Sequence, residues 1–112
     1  MAGNPNVLEA TDANFETQVM KHGGLSIIDF WAAWCGPCRM LAPTIDSLAN
    51  DFAGKVKVFK MDVDANPATP NRFHVRGIPT VIFVKNGQVV DQLVGNQSKD
   101  AFTNAINRHL SS

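Results

Sequence analysis

The seven residues from Leu25 to Trp31 constrain the fold of this chain more than any other segment. They read Leu-Ser-Ile-Ile-Asp-Phe-Trp, nearly all apolar and β-branched in the middle. A strand with one face in solvent alternates apolar and polar residues, whereas a nearly continuous apolar run is typical of a strand covered on both faces. We therefore predict a central strand with helices packed above and below its sheet.

The remainder of the chain alternates strand-like and helix-like segments. Asn86-Gly87 is a strong signal for a hairpin between the last two strands. Strands joined by helices should be parallel with right-handed crossovers. We predict an α/β fold with a mixed sheet of about five strands and helices on both faces, in one domain over residues 1–112. The further strands are expected at 7–8, 56–63, 80–85 and 88–94, and the helices from a cap at Thr11-Asp12 to Met20, from Cys35 to Phe52 and from Ser98 to Leu110, with one helical turn at 67–72.

Apolar periodicity also predicts which residues fill the core. Leu41, Ile45, Leu48 and Phe52 recur at steps of four, three and four, which defines one helical face. The last helix is expected to bury Phe102, Ala105, Ile106 and Leu110, and the methionines Met20, Met40 and Met61 are expected to fill the core.

Charge and composition exclude several classes of partner. The 112 residues carry 10 basic and 10 acidic side chains, so nothing favours nucleic acid or an anionic membrane. No apolar run approaches the roughly 20 residues of a membrane span. Residues 1–6 lack the basic and apolar regions of a secretory signal. We expect a cytoplasmic protein without a membrane or nucleic-acid partner.

The two cysteines of the chain both fall in Cys35-Gly36-Pro37-Cys38. A disulfide across two intervening residues removes little entropy from the unfolded chain, so this pair is a poor structural staple and a chemical use is expected. A zinc site needs four ligands, and no metal site is predicted because the histidines are scattered, at His22, His74 and His109.

The position of the pair favours thiol chemistry. Cys35 follows the predicted central strand and begins a helix, whose first turn has unpaired amides and a partial positive charge that favour a thiolate. Gly36 adds no bulk near the sulfur, and Pro37 occupies a position whose amide needs no partner. Cys38 is expected one turn inward, more buried, and close enough to form a disulfide. A Cys-x-x-Cys between strand and helix indicates redox function.

Two segments resemble one known family. Phe-Trp-Ala-Ala-Trp-Cys-Gly-Pro-Cys-Arg-Met at 30–40 is similar to the active-site segment of thioredoxins, and Arg-Gly-Ile-Pro-Thr at 76–80 is similar to the loop facing their cysteines. The resemblance extends from about Val7 to Leu110. It departs at Ala33 and Arg39, where family members often carry a polar residue and lysine.

The resemblance implies the thioredoxin fold and a general protein-disulfide reductase. Cys35 would attack the substrate disulfide, and Cys38 would resolve the mixed disulfide. A flavin- and NADPH-dependent thioredoxin reductase would restore the dithiol. The chain would need no cofactor of its own and would act as a monomer on disulfide-containing proteins.

Asp29 and Lys60 are the predicted proton-handling residues. A carboxylate inside an apolar strand is costly to desolvate, or its pKa rises. Asp29 resembles the buried aspartate with which the family moves the proton of the second cysteine; alternatively, it faces a polar edge. Lys60 resembles the lysine near that carboxylate, although a lysine at a strand end is usually only solvated.

The predicted docking surface surrounds Cys35. Trp34 is expected to be partly exposed and to contact partners, whereas Trp31 is expected to be mainly core. The resemblance implies a cis peptide bond before Pro79, which would pack against the cysteines, shape the peptide groove and discourage metal binding. Ile78, Val94 and Gly95 should complete this apolar surface, with ordinary strand core as the alternative for Val94; His74 and Arg76 are expected to be surface residues without a special role.

Two other functions stay open at this point. A disulfide oxidase or isomerase on the same fold would favour a histidine between the cysteines, and Gly36-Pro37 favours a reductant instead. A non-catalytic binding subunit could also use the apolar surface around Trp34. The cysteine pair and Asp29 are unnecessary for binding alone.

Overall fold

Five strands form one mixed sheet in this computed structural model, which describes residues 3–112; Met1 and Ala2, where the predicted domain begins, lie outside it. The strands are β1 (Val7–Glu9), β2 (Leu25–Trp31), β3 (Val56–Asp62), β4 (Thr80–Lys85) and β5 (Gln88–Val94). Their order in the sheet is β1-β3-β2-β4-β5. The pairs β1·β3 and β3·β2 are parallel, whereas β2·β4 and β4·β5 are antiparallel. The predicted mixed sheet with a central strand is confirmed.

Alternation along β2 places its side chains in two separate cores. Leu25 and Ile27 pack on one face with Leu41 and Phe102, which come from the two long helices. Ile28 and Phe30 pack on the other face, in a second cluster that contains Phe15 and Val19. Because both faces are covered, polar groups on β2 lose their contact with bulk water, and this includes the carboxylate of Asp29.

Three α-helices flank the sheet: α1 (Gly36–Asp51), α2 (Ala68–Arg72) and α3 (Lys99–Leu110). The predicted cap of the last helix is confirmed, since the Ser98 side chain accepts from the Ala101 N–H. The Cys35 side chain likewise caps α1 by accepting from the Cys38 N–H. The single helical turn predicted at 67–72 is α2. Within residues 3–112, no helix is long and apolar enough to cross a membrane.

The hairpin between β4 and β5 turns at Asn86-Gly87 as predicted. Both residues have positive φ, 52° and 78°. This combination is required by the two-residue turn whose twist matches that of the flanking strands, and asparagine and glycine tolerate it best.

The first helix is shorter than predicted. It spans Glu16–Met20 and has π-type bonding, with the Lys21 N–H donating to the Glu16 carbonyl. Of the two predicted cap residues, Thr11 accepts a hydrogen bond at its side-chain oxygen from the Asn14 N–H, at 3.1 Å, in the turn that leads into this helix. The carboxylate of Asp12 instead accepts hydrogen bonds from the backbone N–H groups of Ala68 and Thr69 at the start of α2, across 56 and 57 residues.

The prediction that Met40 fills the core is wrong, because its side chain is 68% exposed. The buried residues of α1 include Cys38, Leu41 and Ile45. Met40 lies about 100° and 200° around the helix from Leu41 and Cys38, and therefore on the solvent side. Met61 is fully buried, as predicted.

Candidate active site

Cys35 and Cys38 form a disulfide at the start of α1, with their Cα atoms 5.3 Å apart. The backbone N–H of Cys38 donates to the Cys35 sulfur at 3.2 Å. The same bond would stabilise a Cys35 thiolate in the reduced protein, together with the partial positive charge of the helix N-terminus. Pro37 lies in the first turn, where its missing N–H costs no helical hydrogen bond. Gly36 is not sterically required, since an added Cβ would meet only the Arg39 guanidinium, at 3.9 Å.

Cys38 was expected to be more buried than Cys35, and the difference is small, at 3% and 4% exposure. The loop before β4 covers Cys35, whose sulfur lies 3.8 Å from the carbonyl oxygen of Ile78. The low exposure of Cys35 thus agrees with its contact with this loop.

The loop carrying Pro79 joins two parts of the predicted docking surface. The Ile78-Pro79 peptide bond is cis, and Pro79 is buried. The Gly95 N–H donates to the Pro79 carbonyl at 2.8 Å, and Val94 pairs with Thr80. Ile78 also packs against the cysteines. The structure thus brings together residues 35–38, 78–79 and 94–95, as the resemblance implied.

The docking surface is open to solvent at its rim. Trp34 is 67% exposed and Val94 is 50% exposed. The interpretation of Val94 as ordinary strand core is therefore wrong. Leu93 packs against the core that contains residues of the two long helices, so the adjacent Val94 points to the opposite face, which is left uncovered at this edge strand.

A groove of about 540 Å³ is lined by Trp34 and Ile78, which were predicted to belong to the docking surface, and by further residues that the sequence did not predict. Val63 and Val75 line it, and so does Arg76, which was expected to have no special role. Asp64 accepts a hydrogen bond from the Trp34 indole at 2.8 Å. Its position just after β3 was an available signal, because the carboxyl ends of parallel neighbours lie at the same edge of a sheet.

Asp29 is a buried carboxylate on β2, paired in register with Lys60 on β3. Burial raises its pKa to about 7, and the charge of Lys60 opposes that shift. Among the described residues, Oδ1 has no hydrogen-bond partner. The polar-edge alternative is therefore wrong. Asp29 and Cys38 line one cavity of about 170 Å³, which places the carboxylate and the second cysteine on a common space.

Lys60 and Trp31 contact each other at the wall of this cavity. The Lys60 ammonium lies 5.7 Å from the centroid of the Trp31 ring, within the range of a cation–π interaction. Trp31 is only partly buried, and its Nε1 is a buried donor without a partner in residues 3–112. The prediction of Trp31 as packed core is thus only partly met.

Arg39 is hydrogen-bonded to the loop that precedes Cys35. Its Nη1 donates to the carbonyl of Ala33 at 2.8 Å. The bond uses a backbone acceptor, so it does not depend on the side chain at position 33. Ala33 and Arg39, the two positions at which the chain departs from the family pattern, are thus joined by this hydrogen bond.

In residues 3–112, no three side chains of histidine, cysteine, aspartate or glutamate lie close enough together to bind a metal ion.

Comparison with known proteins identifies the same similarity along most of the chain. A family model described as Thioredoxin matches residues 6–108. The chain is 53% identical over 104 residues to a thioredoxin of Haemophilus influenzae, covering 93% of this chain and 97% of that protein. It is 44% identical to a thioredoxin of Staphylococcus saprophyticus, over 93% of this chain and 98% of that protein. It is also 44% identical to Thioredoxin 2 of Chlorobaculum tepidum, over 91% and 94%.

Proposed function

Because this chain belongs to the thioredoxin family and is a protein disulfide reductase, we propose a mechanism that gives each residue of the site a defined part. The observation that carries it is the hydrogen bond from the Cys38 N–H to the Cys35 sulfur at the start of α1. That bond favours a thiolate at Cys35 once the disulfide is reduced, and the thiolate is the nucleophile of thiol–disulfide exchange.

In the first step the Cys35 thiolate attacks one sulfur of a substrate disulfide. The substrate S–S bond breaks, a bond forms between Cys35 and the substrate, and the departing substrate thiolate takes up a proton. Gly36 and Pro37 form the turn that presents Cys35.

In the second step Asp29 accepts the proton of Cys38 across the cavity that both residues line. The Cys38 thiolate then attacks the Cys35 sulfur, which releases the second substrate thiolate and leaves the Cys35–Cys38 disulfide. Two electrons pass to the substrate. A group with a pKa near 7 is well suited to this transfer at neutral pH. Lys60 and Trp31 support it by lining the cavity.

The substrate docks on the apolar rim formed by Trp34, Ile78, Pro79, Val94 and Gly95. An extended segment of the substrate can pair with the backbone beside Pro79. The exposed indole of Trp34, oriented by Asp64, supplies a rigid aromatic contact of the kind that dominates interface energetics.

Trp34→Ala should raise KM for a protein disulfide about tenfold, equivalent to about 1.4 kcal/mol of lost binding. Steady-state kinetics would measure this, with a small aromatic disulfide as second substrate, whose rate should change less than twofold. Met40→Ala is the matched control, since Met40 is equally exposed but lies outside the groove. Equal effects of the two substitutions would contradict a specific docking role for Trp34.

The partners and setting proposed for this chain follow from the reaction. A flavin- and NADPH-dependent thioredoxin reductase returns electrons to the disulfide. The chain needs no resident cofactor or metal, because the dithiol carries the electrons, and it works as a monomer. A reducing dithiol suits the cytoplasm, where thiols are kept reduced. A single domain over residues 1–112 belongs to the same proposal.

The reduction potential of the Cys35/Cys38 couple tests the direction of the reaction. Thioredoxins characteristically lie near about −270 mV, whereas disulfide-forming relatives lie between about −180 and −120 mV. Equilibration with glutathione or dithiothreitol buffers, followed by quantification of free thiols, should give a value near the reducing end. A value in the oxidising range would mean that the protein forms disulfides in its substrates.

A further inference from the structure

Two cavities meet at the buried carboxylate of Asp29. The first is the space of about 170 Å³ that Asp29 shares with Cys38. The second, of about 430 Å³, lies toward the N-terminal segment and is lined by Asn4 and Asp46, among others. Asp29, Ala42 and Lys60 line both cavities. The carboxylate therefore separates a space next to the dithiol from a space next to the chain's N-terminal segment.

In residues 3–112 no protein acceptor is hydrogen-bonded to Asp29 Oδ1, so a proton there has no direct path to another side chain. The neighbouring Lys60 is a cation. The other charged or titratable side chains that line the two cavities are Cys38, Arg39 and Asp46, all on α1. On the β4 side Asp29 is paired with Val81, which is apolar. Exchange with bulk solvent must therefore run through a cavity, and the second one has room for several water molecules.

The N-terminal segment is fastened to α1 beside this second cavity. Asn4 Nδ2 donates to Asn50 Oδ1 at 3.0 Å and to the Asp46 carbonyl at 3.3 Å. Asn6 Nδ2 donates to the same Asn50 oxygen at 3.0 Å. Asn4 contributes to the cavity lining and Asn6 does not. Asn4 and Asn6 thus donate to the same oxygen of Asn50, but only Asn4 lines the cavity.

We propose that the side chain of Asn4 controls the access of solvent to Asp29, and we call Asn4 the latch. Its bonds to Asp46 and Asn50 hold residues 3–7 along the cavity and limit the exchange of water between that cavity and bulk solvent. The latch restricts the hydration of Asp29 while Cys38 is deprotonated, and its opening lets the proton leave. This inference rests on the proposed role of Asp29 as the proton acceptor, and it assigns Asn4 as a positioning residue that acts through solvent access.

The test compares Asn4→Ala with the control Asn6→Ala in the full-length oxidised protein. The titration midpoint of the Asp29 carboxyl carbon is measured by NMR, and stability is measured in parallel by urea unfolding. Asn4→Ala should lower the midpoint by half a pH unit or more, because hydration relieves the desolvation that raises the pKa. Asn6→Ala should move it by less than about 0.2 unit at similar stability. An unchanged midpoint in Asn4→Ala, or equal shifts in both variants, would overturn the latch.

A second readout separates the latch from the mechanism on which it rests. The pH dependence of mixed-disulfide resolution should shift by the same amount as the Asp29 midpoint in Asn4→Ala. If the midpoint moves and the rate profile does not, the latch stands and the proton-acceptor role of Asp29 is wrong. The NMR measurement requires no turnover, so the two conclusions are independent.

Discussion

Cys35→Ser should lower protein-disulfide reduction to the rate of a reaction without the protein, whereas Cys38→Ser should stop turnover by accumulating a covalent complex with the substrate. The first substitution replaces the thiolate that the Cys38 N–H stabilises with a hydroxyl that stays protonated. The second leaves the attack intact and removes the group that resolves the mixed disulfide. Intact-mass spectrometry under non-reducing conditions should show Cys38→Ser carrying the mass of one substrate chain.

The double variant Cys35→Ser/Cys38→Ser is the control and should form no adduct. The near-equal burial of the two sulfurs makes this experiment informative, since exposure alone does not separate their roles. If Cys35→Ser formed the adduct and Cys38→Ser did not, the roles assigned to the two cysteines would be reversed.

Asp29→Asn should stabilise the oxidised protein at pH 8 by up to about 4 kcal/mol. The pKa of Asp29 is about 7 in the folded protein against an ordinary value of 3.8. Each unit of that difference corresponds to about 1.4 kcal/mol, which gives an upper, order-of-magnitude figure. Below pH 4 Asp29 is protonated in both the folded and the unfolded chain, so it does not lower the free energy of unfolding. Between about pH 4 and pH 7 only the folded chain keeps the proton, so the free energy of unfolding falls as pH rises.

Urea unfolding at pH 4.5, 6 and 8 would measure this slope. The wild-type protein should lose stability over the range, and Asp29→Asn should lose much less. Asp46→Asn, which removes an exposed carboxylate beside the neighbouring cavity, should keep the wild-type slope. A slope that persists in Asp29→Asn would place its origin in other titrating groups.

Asp29→Asn should also slow the step in which Cys38 resolves the mixed disulfide, and it should leave the first attack by Cys35 unchanged. Loss of a positioned base commonly costs about 10²- to 10⁴-fold in rate. Rapid-quench sampling of the mixed disulfide should show normal formation and delayed decay. An unchanged decay rate would remove Asp29 from the mechanism while leaving the stability prediction in place.

The parts of the fold that the sequence predicted are those with local signals. The apolar run of β2, the periodicity of α1 and the Asn86-Gly87 turn each depend on neighbouring residues, and each was found where expected. The dithiol was equally visible, because its spacing and its position between strand and helix lie within a few residues. The family resemblance added Pro79, Val94 and Gly95, whose proximity to Cys35 no local pattern could give.

The missed features are those in which distant segments compete for one side chain. Asp12 bonds α2 instead of capping the first helix, and Asp64 reaches Trp34 across 30 residues. Asn4 reaches Asn50 across 46 residues. Periodicity and capping rules treat a segment in isolation, so they cannot predict which partner such a polar side chain selects after folding.

Three segments, 35–38, 78–79 and 94–95, meet at the cysteines. More than 40 residues along the chain separate Cys35 from Ile78, and more than 10 separate Pro79 from Gly95. In the proposed mechanism, the reactivity of the Cys35 sulfur depends on the start of α1, whereas the surface that receives the substrate is completed by loops from distant parts of the chain. We therefore expect substitutions in those loops to change substrate preference while the reduction potential of the dithiol stays the same.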